Sequence, residues 1–135
     1  MAVTILVVDD DLSVMQLLWD YLTGEGYNVI SASDGYSALA AFAQGKPRLV
    51  ILDYAMPAGT GRDVLQRIRA RVDGASVPVI FLTACPLAEL QMRMPPSPIV
   101  RYLNKPVDFP KLAATIKELL GPGRDSGDDK PSGQK

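Results

Sequence analysis

The chain has 135 residues, 47% of them hydrophobic, and its 14 basic and 15 acidic side chains leave a net charge of -1. That length and apolar content suit one soluble globular domain with a buried core and leave no room for a second. The interspersed charge lacks the Lys/Arg excess of a nucleic-acid binder, and with no histidine the chain cannot host Ser-His-Asp or Cys-His catalysis, His-based zinc sites or its own phosphohistidine.

Residues 3–8 form a continuous apolar, β-branched run, the pattern of a strand covered on both faces in a parallel sheet. Leu12, Met15, Leu18, Trp19 and Leu22 follow at helical spacing and end near Gly24 and Gly26. The unit recurs as a strand over 28–32 and a helix through Ala38, Leu39 and Phe42. It recurs again as a strand over 49–52 and a helix over about 61–71 that presents Val64, Leu65 and Ile68. Strands over 77–82 and 99–103 and a helix over about 109–120 complete the series, with Pro110 in the helix's first turn and Gly121-Pro122 ending it. Between Thr83 and Lys105 the periodic segment 87–94 is cut off by Pro95, Pro96 and Pro98, which predicts a short fourth helix and an extended lead into the fifth strand. Met92 and Met94 are expected to be exposed there as an adaptable contact surface.

Five strands alternating with helices predict a doubly wound α/β fold, in which ligands bind beyond the carboxyl ends of the strands. The folded unit is expected over 1–121. The last segment, 122–135, is rich in Gly, Pro, Ser and charge without apolar periodicity, and is expected to be a disordered tail. Cys85 is the only cysteine, so a disulfide framework is excluded and the residue is read as a small semi-buried one. No apolar stretch has the length of a signal peptide or membrane span, which places the expected location in the cytoplasm, with no membrane partner.

The first strand ends in Asp9, Asp10 and Asp11. Like charges about 4 Å apart repel by roughly 4 kcal/mol at the effective dielectric of a protein surface, so the crowding calls for a cation. Asp53 ends the third strand, where it can converge with Asp9 and Asp10, and three carboxylates from neighbouring strand ends suit magnesium. Thr83 at the end of the fourth strand and Lys105 at the end of the fifth bring a hydroxyl and an ammonium to the same rim, with Pro106 directly after the lysine. Such a set accommodates phosphoryl oxygens, with Asp53 as a carboxylate nucleophile that forms an acyl phosphate. Taken singly, each residue has a structural role open to it: Asp11 as a helix N-cap, Asp53 as a turn residue, Lys105 as a surface lysine.

With these residues in place, the segments "ILVVDDD", "LVILDYAMPAGTG", "VIFLTA" and "YLNKP", in this order over about residues 3–120, resemble the receiver domain of bacterial two-component response regulators. The resemblance implies a flavodoxin-like, five-stranded parallel sheet of order 2-1-3-4-5 with helices on both faces. It implies that Asp53 accepts a phosphoryl group from a sensor histidine kinase or histidine phosphotransfer protein. It further implies that Asp10 ligates Mg2+ directly, that Asp9 assists and that the backbone carbonyl of Ala55 is a further ligand. Lys105 would contact the phosphoryl group, Thr83 would shift to bond it, and Tyr102 would be the switch aromatic. Such a chain is a signalling switch in a phosphorelay, acting on an unidentified downstream protein, and catalyses only its own aspartyl phosphorylation and dephosphorylation. Three other readings are weighed: a magnesium-dependent phosphotransferase or phosphatase acting through an aspartyl phosphate, which Ala55 in place of a second carboxylate disfavours; a binding module with a degenerate site, which the presence of all five expected residues disfavours; and a receiver excised from a hybrid kinase. The chain departs from the family in its shortened fourth helix, the missing Gly-Ala pair before the fifth strand, and Thr60 where an acidic residue is common before Gly61.

Overall fold

The computed structural model describes residues 2–56, 59–84 and 86–121. The expected tail 122–135 and Cys85 lie outside the described residues. Five strands, β1 (Thr4–Val8), β2 (Asn28–Ala32), β3 (Leu49–Leu52), β4 (Val79–Thr83) and β5 (Val100–Asn104), form one parallel sheet of order 2-1-3-4-5. Helices α1 (Leu12–Gly24), α2 (Gly35–Gly45), α3 (Gly61–Arg69) and α4 (Leu87–Arg93) connect successive strands, and α5 (Phe109–Leu120) follows β5. Among the described residues no helix is long and apolar enough to cross a membrane.

Side-chain alternation along the strands sorts the core into two layers. Leu6, Val8, Val50, Leu52, Val79 and Phe81 face α2, α3 and α4, where they meet Ala38, Phe42, Val64, Ile68 and Leu90. Ile5, Val7, Leu49, Ile51, Ile80 and Leu82 face α1 and α5, against Leu18, Leu22, Leu112 and Ile116. The apolar runs of β1, β3 and β4 are therefore continuous because both of their faces are covered.

Three aspartates begin helices. Asp11 accepts hydrogen bonds from the backbone N–H of Ser13 (2.9 Å) and Val14 (3.3 Å) at α1, Asp34 from Ser37 (2.8 Å) at α2, and Asp108 from Lys111 (3.1 Å) at α5. Each satisfies a donor that the first helical turn leaves without an intrahelical acceptor. The fourth helix is short as expected: Pro86 precedes it, and Met94 is extended (φ -124°, ψ 139°) because it stands before Pro95.

Four expectations are corrected. Met94 is 7% exposed and packs in the core beside Leu90, whereas Met92 is 88% exposed, because the break at Met94 turns its side chain inward. Leu12 (75% exposed) and Trp19 do not join the buried stripe of α1, which rests on Leu18 and Leu22. α3 stops at Arg69, and a 3-10 turn at Val72–Gly74 follows, with the Arg69 guanidinium donating to the carbonyls of Gly74 (3.0 Å) and Val77 (2.6 Å). β4 and β5 lie one or two residues later than the apolar runs suggested, since pairing with the neighbouring strand sets where a ladder starts.

Candidate functional site at the carboxyl ends of the strands

The register of the sheet builds the site. Val8 pairs with Leu52 and Asp53 N–H donates to the Val8 carbonyl (2.9 Å), so Asp9 and Asp53 leave adjacent strand ends side by side. Thr83 pairs with Asn104, and Lys105 N–H donates to the Thr83 carbonyl (2.9 Å), which brings the lysine over the same rim. The Lys105–Pro106 peptide is cis.

Asp9 is 2% exposed, Asp53 6% and Thr83 1%, while Asp10 is exposed. The Lys105 Nζ lies 2.8 Å from Asp9 Oδ2 and 3.5 Å from Asp53 Oδ2. The other Asp9 oxygen, Oδ1, accepts the backbone N–H of Asp11 (2.9 Å). The three consecutive aspartates thus divide their work: Asp9 is buried and held at both oxygens, Asp10 faces solvent, and Asp11 caps α1.

One carboxylate oxygen each from Asp9, Asp10 and Asp53 lies within 4.8 Å of the others. Octahedral magnesium, with bonds near 2.1 Å, spans about 4.2 Å between opposite ligands, so modest convergence of this set would hold it. Charge agrees: three carboxylates against one ammonium leave two negative charges, which one divalent ion offsets. Ala55 is exposed at the start of a two-residue antiparallel ladder (Ala55–Met56 with Gly59–Thr60), and its backbone N–H bonds the Asp53 carboxylate.

Burial, and then the charge of Asp9, pushes the Asp53 carboxyl above its ordinary pKa, with Lys105 pulling the other way. For Lys105, burial works to lower the pKa, but the hydrogen bond and charge of Asp9 and the charge of Asp53 outweigh it and the net shift is upward. The lysine is thus held as a cation beside a carboxylate strained by its neighbour's charge.

Below the rim an aromatic column crosses three strand ends. Tyr54 meets Phe81 edge-on at 6.0 Å between ring centroids, and Tyr102 stacks on Phe81 at 5.6 Å with 13° between the planes. Tyr102 is half-buried. Gly61, the first residue of α3, closes this region: a Cβ there would fall 2.6 Å from the Asp53 carbonyl oxygen, 2.8 Å from the Phe81 ring and 2.9 Å from the Tyr54 Cα. Asn104 adds a further strut by donating its side-chain amide to the Thr83 carbonyl (3.3 Å).

The structure therefore brings Asp9, Asp10, Asp53 and Lys105 into one cluster, sets Thr83 at the adjoining strand end and lays Tyr102 beneath it. Sequence reasoning missed Phe81, Tyr54 and Asn104 as supports. Phe81 stands two residues before Thr83, on the same face of β4, which was the available signal.

Comparison with known proteins agrees with this geometry. Residues 5–117 match the model of the response regulator receiver domain. The chain is similar to the transcriptional regulatory protein ZraR of Salmonella typhimurium (35% identity over 130 residues, covering 96% of this chain and 29% of that protein). It is also similar to the probable transcriptional regulator ycf27 of Pyropia yezoensis (42% over 118 residues, 86% and 46%), so it spans less than half the length of either relative. Among solved structures it superposes on the chemotaxis protein CheY4 of Vibrio cholerae (TM-score 0.83, 28% identity, 89% of this chain and 100% of that one). It also superposes on the response regulator TrrA of Thermotoga maritima in complex with Mg2+-BeF (0.76, 34%, 87% and 99%). With 113 consecutive positions matched and the acidic rim, lysine and strand order in place, the chain belongs to the response regulator receiver-domain family.

Proposed function

We propose that residues 1–121 form a phosphorylation-dependent switch in which Asp53 accepts a phosphoryl group from a histidine kinase or a histidine phosphotransfer protein. The observation that carries this reading is the Asp9–Asp10–Asp53 cluster held against Lys105. An Asp53 carboxylate oxygen forms the new bond to phosphorus, the donor's phosphorus–nitrogen bond breaks, and its electron pair leaves with the imidazole. An ionised carboxylate has no proton to lose, so no general base is required.

Asp10, Asp9, Asp53 and the Ala55 carbonyl would hold Mg2+, which when bound supplies positive charge to the phosphoryl oxygens. Lys105 offers its ammonium to the same oxygens once phosphorylation loosens its contact with Asp53. Thr83, buried at the neighbouring strand end, then turns its hydroxyl to the phosphoryl group. Tyr102, stacked on Phe81 two residues along the same face as Thr83, repacks with it. The new conformation is read by binding to a downstream protein; the chain is a cytoplasmic signalling module, and its chemistry is confined to its own aspartyl phosphate. The similarity to TrrA, whose structure holds Mg2+-BeF, supports the metal assignment.

Intact-mass spectrometry after incubation with acetyl phosphate and magnesium tests the reading. The expected result is a gain of one phosphoryl group that requires magnesium and is lost in Asp53→Asn. A gain retained in that variant would move the acceptor elsewhere, and no gain under any condition would make the acidic cluster structural.

A further inference from the structure

α4 ends at Arg93 and the chain turns at Met94 into Pro95 and Pro96. That early stop leaves a cavity of about 290 Å³ between α3, this strap and β5. Leu65, Met94, Val100 and the Tyr102 ring supply apolar wall, and Arg62 and Arg69 of α3 supply positive charge. Among the described residues no carboxylate lines it. The volume falls just below the roughly 300–1,000 Å³ of pockets for drug-sized molecules, which suits a smaller ligand.

The Arg69 guanidinium is the unusual wall. Its Nη1 donates to two neutral carbonyls, those of Gly74 (3.0 Å) and Val77 (2.6 Å), and its Nη2 is buried with no hydrogen-bond partner. Burial lowers its pKa, with no acidic neighbour acting against the shift. A half-buried guanidinium that meets no carboxylate among the described residues and holds one buried, unspent donor is costly, and an anion nearby offsets both costs.

We propose that this cleft binds a small monocarboxylate with an apolar body, its carboxylate beside Arg69 and Arg62 and its apolar part between Leu65, Met94 and Tyr102. A rotation about the flexible arginine stem brings Nη2 to the carboxylate and moves Nη1 with it, so that bonds to the neutral Gly74 and Val77 carbonyls are exchanged for charge-assisted ones. A neutral apolar compound would fill the space but leave the guanidinium uncompensated. The assignment does not rest on phosphoryl chemistry, so it is tested on the unphosphorylated protein.

The probe is 4-phenylbutyrate, with 4-phenylbutanamide as its uncharged counterpart, each titrated into the 15N-labelled chain and followed by amide chemical shifts. The acid is expected to give saturable shifts at Leu65, Met94 and Val100 and to bind at least about tenfold tighter than the amide, an advantage worth about 1.4 kcal/mol. Arg69→Met should erase that advantage, and Gln66→Trp, a change at an exposed position on the rim of the cleft, should block both compounds. Should Arg69→Met fail to fold by circular dichroism, Gln66→Trp decides. Equal affinity for acid and amide, shifts that persist in Gln66→Trp, or no saturation at millimolar concentration would each overturn the proposal. The last result would leave the cleft to the side chains of a protein partner.

Discussion

The two faces of the sheet solve the same burial problem differently. On the α1/α5 side, two long helices cover the strands mainly with aliphatic residues, Leu18 and Leu22 from one and Leu112 and Ile116 from the other; its rings are Tyr27 and the Tyr21–Phe109 pair (4.5 Å between centroids), neither of which touches the rings beneath Thr83. On the α2/α3/α4 side the helices are shorter, the core carries aromatic rings, and the early end of α4 opens a cleft beside Tyr102. Well-packed aliphatic layers have few alternative arrangements, whereas stacked rings with a neighbouring cavity can exchange one packing for another. On the proposed function, the first face would support the acidic rim, and the second is where a charge added at Asp53 would be converted into a change of shape.

The sharpest way to break that contrast uses neighbouring residues of β4, Phe81 and Ile80, which point to opposite faces. Phe81→Ala should cost about 3–5 kcal/mol and Ile80→Ala about 2–5 kcal/mol in denaturant unfolding. Under conditions where both variants stay folded, only Phe81→Ala should also slow phosphorylation from acetyl phosphate. Equal effects on phosphorylation would show that the faces do not differ in this respect.

Gly61→Ala probes the junction of α3 with the rim. Its Cβ meets the Asp53 carbonyl and the Tyr54 Cα, which are backbone and cannot step aside without moving Asp53. About 1–3 kcal/mol of lost stability is expected, with phosphorylation slowed between about tenfold and a hundredfold, as displaced reacting groups are.

Asp53→Asn should raise the melting temperature at neutral pH in magnesium-free buffer. The carboxyl titrates near 3.9 in the unfolded chain, and burial followed by Asp9 raises it in the folded one. Between those two values the folded state binds more protons, so stability falls as pH rises through the window, and the penalty persists above it. The variant carries no such penalty, and its advantage should shrink as the pH is lowered towards the unfolded value. Magnesium should stabilise the wild type more than the variant.

The smallest effect belongs to Met92→Ala, expected within about 0.5 kcal/mol for an exposed side chain. Met94→Ala, two residues on and buried, should cost about 2–5 kcal/mol.

Much of this was legible in the chain. The continuous apolar runs of β1, β3 and β4, the aspartates that follow β1 and β3 and the lysine that follows β5 carried the fold class and the membership of the acidic cluster, and the proline cluster carried the short α4. Met94 was misplaced because helical periodicity stops applying at the residue before a proline, and its direction was set by the extended backbone there. Leu12 and Trp19 share a helical spacing with Leu18 and Leu22, yet the sheet covers only part of α1, and which part depends on how the helix lies against the strands.

The chain by itself determined which chemical groups follow which apolar run, because residue order and side-chain alternation are local properties. Only the tertiary structure decided how those groups share charge. That Lys105 lies nearer Asp9 than Asp53 and that Phe81 supports Tyr102 both follow from inter-strand register and burial, which arise from contacts between residues far apart in the chain.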